Sequence, residues 1–115
     1  MNQVLLTAED LLAGADAIFE VAVPPELLPQ ANPAAGNGSE QASVVRIRPL
    51  SIGVFQLIMK AARTDPGMIP LLMIKESLVE PALSLEQTKR LPLGLIEFLI
   101  ENIREISGLT KKKSL

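Results

Sequence analysis

The chain has 115 residues, enough for one domain, and its 11 Lys and Arg against 13 Asp and Glu give a formal net charge of −2. It contains no His, Cys, Trp or Tyr, which excludes disulfides, a thiol nucleophile, an imidazole base and any metal site built on nitrogen and sulfur. Hydrophobic residues make up 48% of the chain and aromatics only 3%, so the core must be aliphatic, and an enzyme would have to run on carboxylates, Lys or hydroxyls.

From the N-terminus, LTAEDLL (Leu6 to Leu12) predicts a short helix with Thr7 as N-cap, acidic residues in its first turn and Gly14 as its stop. Glu9, Asp10 and Asp16 interrupt the apolar residues here, so no signal sequence is expected and the chain should remain in the cytosol. IFEVAV, Ile18 to Val23, is β-branched and aromatic and is closed by Pro24 and Pro25, the pattern of a strand. A second strand is predicted at Ser43 to Arg48, with Val45 and Ile47 on an apolar face and Arg46 and Arg48 on a basic one. The connection between them is rich in Pro, Gly, Asn and Ala and buries too little to offset its ordering entropy. Its Gly36 to Gly38 lacks the third Gly and the Lys-Ser/Thr of a phosphate loop. A hairpin of this kind is marginal unless it docks on something.

Helical spacing takes over from Pro49. Ser51 is a candidate N-cap for a helix carrying Ile52, Phe55, Ile58, Met59 and Ala62. Asp65 and Pro66 are expected to cap and open the next helix, which runs to about Val79. Its apolar run from Met68 to Val79 is too short for a bilayer, which needs about 20 residues. Ser84 and Gln87 form a capping-box pair, Pro92 opens the last helix, and Gly108 is its expected C-cap. That helix sets Leu95, Ile96, Leu99, Ile103 and Ile106 against a face of Glu97, Glu101, Arg104 and Glu105. The reading is therefore α+β and mostly helical. A short helix and a two-stranded β-hairpin arm (1–48, with a flexible loop at 24–42) precede a small helical bundle (49–109), and a disordered basic tail (110–115) follows.

Chemistry is thin along this chain. Glu97 and Glu101 stand one turn apart, but a solvated helix face explains them, and Ser51 and Ser84 are caps with no base to activate them. No enzyme activity, cofactor or metal is expected. The basic residues are scattered apart from Lys111 to Lys113, so neither nucleic acid nor membrane is an expected partner. The Met residues bear on partners instead, since Met suits surfaces that fit more than one shape. Ile69, Leu72 and Met73 on one side of their helix, and Leu71, Ile74 and Leu78 on another, cannot all face one small core. Part of that helix is then expected to meet a partner. The candidate partner-binding residues are Met59, Met68, Ile69, Leu72 and Met73, with Leu11 and Leu12 of the N-terminal helix.

The order of these landmarks resembles the tail assembly chaperones of long-tailed bacteriophages. The matching parts are Arg46 to Ser51, Asp65 and Pro66, Val79 to Pro81, Leu91 and Pro92, and Ser107 to Leu109, with LTAEDLL and IFEVAVP similar to the family's opening. The resemblance implies a non-catalytic helper in the cytoplasm of the bacterial host that keeps the tape measure protein soluble and recruits tail tube protein around it. It also implies two product lengths, the longer made by a frameshift. Lys111 to Lys113 fit a slippery run of adenines, although a solvated charged tail explains them first. A homo-oligomer is compatible with this reading. The alternatives are a structural tail or baseplate component retained in the particle, whose hairpin adds to a neighbour's sheet edge, and a carboxylate hydrolase using Glu97 and Glu101.

Overall fold

Local capping chemistry sets where most helices begin. A computed structural model describes residues 3–28 and 43–109, and α1, Ala8–Leu12, opens on a reciprocal capping box. The Thr7 hydroxyl accepts from the Asp10 amide at 3.1 Å, while the Asp10 carboxylate accepts from the Thr7 amide at 2.9 Å. The Thr7 amide, with a smaller contribution from the Thr7 hydroxyl, holds the Asp10 carboxyl below its ordinary value. Gly14 does not stop this element as expected. The chain tightens after Leu12 into a 3₁₀ turn over Ala13–Asp16 that carries Gly14 within it.

Strands β1 (Phe19–Ala22) and β2 (Val44–Ile47) pair antiparallel with Phe19 opposite Ile47 and Ala22 opposite Val44. Each is shorter than its predicted span. Val23 leaves the strand, donates its amide to the Ser43 carbonyl at 2.8 Å and buries its side chain. The expected alternation holds on β2, where Ile47 is buried and Arg46 and Arg48 are exposed. Leu27 and Leu28, inside the span expected to be flexible, pack against the core, and a 3₁₀ turn at Pro25–Leu27 presents them. Residues 29–42, with the Gly36 to Gly38 motif, and the Lys111 to Lys113 run lie outside the described residues.

Helix α2, Ile52–Ala61, has the Ser51 hydroxyl accepting from the Val54 amide at 3.2 Å. Helix α3, Met68–Ser77, starts later than expected. The segment Asp65 to Gly67 forms a turn in which the Met68 amide donates to the Asp65 carbonyl, so Asp65 acts through its backbone and Gly67 holds the cap position. Pro70 is the third helical residue, where no intrahelical amide bond is lost. Helix α3 also ends earlier than predicted. After Ser77 the chain extends into β3, Leu78–Glu80, which pairs antiparallel with β2 and completes a sheet in the order β1-β2-β3. The sequence carried two cues to this strand, the β-branched Val79 and the bias of a residue before Pro81 toward extended backbone.

The punctuation of the last two helices behaves as read. Helix α4, Leu85–Lys89, has the Ser84 and Gln87 capping box. Helix α5, Leu93–Ile106, follows Pro92 and ends in a Schellman arrangement. The Leu109 amide donates to the Arg104 carbonyl at 2.8 Å and the Gly108 amide to Glu105 at 3.2 Å, with Gly108 at φ 77°. That positive φ is why Gly stands there.

The core joins all of these elements. Val23 and Ile47 from the hairpin meet Ile58 of α2, Met73 and Ile74 of α3, Leu78 of β3, and Leu95, Leu99 and Ile103 of α5. Strands and helices thus share one packing unit, where the sequence predicts a hairpin arm set apart before residue 49. Polar fastenings reinforce it. The Ser77 hydroxyl donates to the Arg48 carbonyl, the Arg48 amide donates to the Ser77 carbonyl at 2.9 Å, and the Arg48 guanidinium donates to the Glu76 carbonyl at 3.2 Å. The end of α3 is thereby capped from β2. At the opposite end, the Leu50 amide donates to the Ser107 hydroxyl at 2.9 Å, linking the start of α2 to the end of α5.

Candidate functional site

Helix α3 packs against α2, α4 and α5 and runs directly into β3. Neighbours on three sides explain why it is apolar nearly all round, with only Lys75 fully exposed among its residues. This corrects the partner reading of Met73, which is 5% exposed and part of the core. Ile69 and Leu72 are half-buried against that core, and Met68 is half-buried at the start of the helix. An all-round apolar pattern does not by itself require a partner here, because a sheet supplies extra surface that a helices-only bundle lacks.

The other candidates stand outside the core. Met59 is 44% exposed on α2, and Leu11 and Leu12 of α1 are 70% and 65% exposed. The structure therefore does not gather the seven candidates into one surface. Ile52, which the sequence places among the apolar residues at helical spacing, and Leu57, which that reading passed over, are both exposed. The signal for Leu57 was available, since it lies off the Val54, Ile58 and Ala62 stripe that faces inward.

Two apolar clefts flank α2. On one side, Ile52, Phe55 and Met59 follow one another at helical spacing, and Leu50, Ser51, Ile52 and Phe55 meet Ser107 and Leu109 around a cleft of about 180 Å³. On the other, Val54, Leu57, Ile58 and Ala61 face Leu72 and Glu76 of α3 across a cleft of about 200 Å³. A third, between α3 and α5, is lined by Pro70, Leu93, Ile96 and Ile100 with Glu97, Glu101 and Arg104 at its edge.

Charge is distributed unevenly over these surfaces. On the outer face of the sheet Arg46 bridges two carboxylates, Glu20 at 3.0 Å and Glu80 at 3.2 Å, so one of the two arginines of the basic face read on β2 is paired within the chain, while Arg48 donates to a backbone carbonyl. Lys60 and Lys75 form no ion pair among the described residues. Glu97 and Glu101 are exposed on α5, and no group of three or more His, Cys, Asp or Glu positioned to hold a metal occurs among the described residues. No helix among those residues is long and apolar enough to cross a membrane. No protein-family model matches the chain, and neither a curated protein nor a solved structure does.

Proposed function

We propose that the protein is a non-catalytic tail assembly chaperone of a long-tailed bacteriophage, acting in the host cytoplasm. It holds the tape measure protein soluble and helps recruit tail tube subunits. The observation that carries this reading is the flank of α2 formed by Ile52 and Met59, both exposed, with the half-buried Phe55 between them, beside a core to which none of the three belongs. A contiguous apolar surface on an otherwise satisfied small domain is the mark of a docking site. Met59 gives it a tolerant side chain, suited to a long helical client with many similar but unequal segments. The order of sequence landmarks shared with the chaperone family supports the identity of that client.

Co-expression with the tape measure protein tests the proposal. The client is expected in the soluble fraction only when the chaperone is present, and the two should co-purify. Met59→Asp should lower co-purification at least about tenfold, because a charge placed in an apolar contact is left unpaired, and should leave the far-UV spectrum unchanged. Failure of the wild-type protein to retain the client would sink the reading. Recovery of the protein in purified tails would support the alternative of a structural component.

A further inference from the structure

Helix α5 gives one stripe, Leu95, Leu99 and Ile103, to the core. A second stripe lies outside it. Leu93, Glu97, Ile100 and Arg104 follow one another at the four- and three-residue spacing that keeps side chains in line along a helix. With Ile96, Glu101 and Pro70 of α3 they line a cleft of about 500 Å³. Leu93, at one end of the stripe, is 74% exposed, and Ile96 and Ile100 are only half-buried. That is an apolar surface on a helix whose core-facing side is already occupied.

The charges in the lining select what covers it. Glu97, Glu101 and Arg104 all belong to α5, and among the described residues none of them forms an ion pair. Glu97 precedes Arg104 by seven residues, about 10.5 Å of helix. A complementary surface must therefore carry a cation and an anion at that same separation, in the reverse order. A second α5 running antiparallel is such a surface. We infer that two copies of the chain pair through antiparallel α5 helices across this cleft, about a two-fold axis that passes close to Ile100. Glu97 of each copy then meets Arg104 of the other, and the two Ile100 side chains meet at the axis. Leu93 of each extends toward Gly108 of the other, where even a Cβ would find open space. Each contact is made twice, as a two-fold interface requires. Glu101 lies beside the axis and so faces its own twin, a like-charge contact that keeps the dimer weak. The inference concerns the chain alone and does not depend on the tape measure protein as client.

The test is the mass of the purified full-length chain by light scattering and sedimentation across a concentration series. A concentration-dependent dimer is expected. Glu97→Arg and Arg104→Glu, made separately, each set like charges against one another at both ends of the pair and should weaken dimerisation at least about tenfold. Both residues are exposed, so melting of the monomer should be unchanged. Mixing the two variants should restore a dimer, because every contact in the mixed pair is again between opposite charges. The double variant Glu97→Arg with Arg104→Glu should dimerise by itself for the same reason. Glu101→Gln should tighten the dimer several-fold. A wild-type chain that stays monomeric to about 1 mM, a dimer indifferent to the charge changes, or a mixture that fails to restore it would each overturn the pairing. A monomer in which these same variants release the tape measure protein would give the cleft to the client and would overturn it too. A dimer with the expected charge-swap pattern supports the inference even where co-expression shows no client capture, so the two readings fall separately.

Discussion

Ser77 shows how much one buried hydroxyl fixes at the residue scale. It has no exposed surface, and its O–H satisfies the Arg48 carbonyl just where β2 leaves the sheet, while its own carbonyl takes the Arg48 amide. Ser77→Ala removes only the first of these bonds and leaves the Arg48 carbonyl short of a donor. An unsatisfied, partly buried acceptor costs about 1–2 kcal/mol, so the variant should melt roughly 5 °C lower with its helix content intact. An unchanged melting temperature would mean that water replaces the hydroxyl at no cost. By contrast the Arg46 triad, though geometrically complete, joins three side chains that are all at least half exposed, and pairs of that kind contribute little.

Among the elements, legibility followed the range of the interactions involved. The caps at Thr7, Ser51 and Ser84 and the C-terminal Gly108 were readable because each acts within about one turn of its own position. Strand β3 was not, because what turns Leu78 to Glu80 extended is pairing with Arg46 and Ile47, more than thirty residues earlier. The faces of α3 were hidden for a similar reason. A helix apolar on all sides gives no phase, and which side is buried depends on where α2, α5 and the sheet land. Met59, Leu11, Leu12 and Met73 stood alike as candidates in the sequence, and no local pattern told the buried Met73 from the three exposed residues. The distinction is measurable. Met73→Asp puts an unpaired carboxylate beside Ile74 and Leu99 in the core cluster and should cost more than about 3 kcal/mol, enough to unfold a domain of this size. Met73→Leu, close in volume, should cost less than about 1.5 kcal/mol. A Met73→Asp chain with wild-type thermal stability would return Met73 to the surface.

For the whole molecule, the central question is whether the hairpin is an appendage or part of the foundation. Residue 49 marks the visible change from strand to helix in the sequence, yet the core crosses it. Ile47 is fully buried and Val23 nearly so, and both contact the helical residues. Cutting the chain there removes both side chains, strips β3 of its pairing partner and leaves the Ser77 hydroxyl and the Glu76 and Ser77 carbonyls without the Arg48 groups that now satisfy them. What remains is about sixty residues, a size at which a single core is already marginal. Losing two large buried aliphatic side chains alone costs on the order of 4 kcal/mol, comparable to the whole stability of so small a unit. A fragment spanning 49–109 should therefore keep part of its helical signal through local propensity but lose cooperative melting, show poorly dispersed amide resonances and bind a hydrophobic dye. Adding residues 1–48 as a separate peptide should recover little, since the hairpin is itself unstable when undocked. A fragment that melts cooperatively within a few degrees of the full chain would show the opposite, that the helices hold the core alone and the sheet only decorates it.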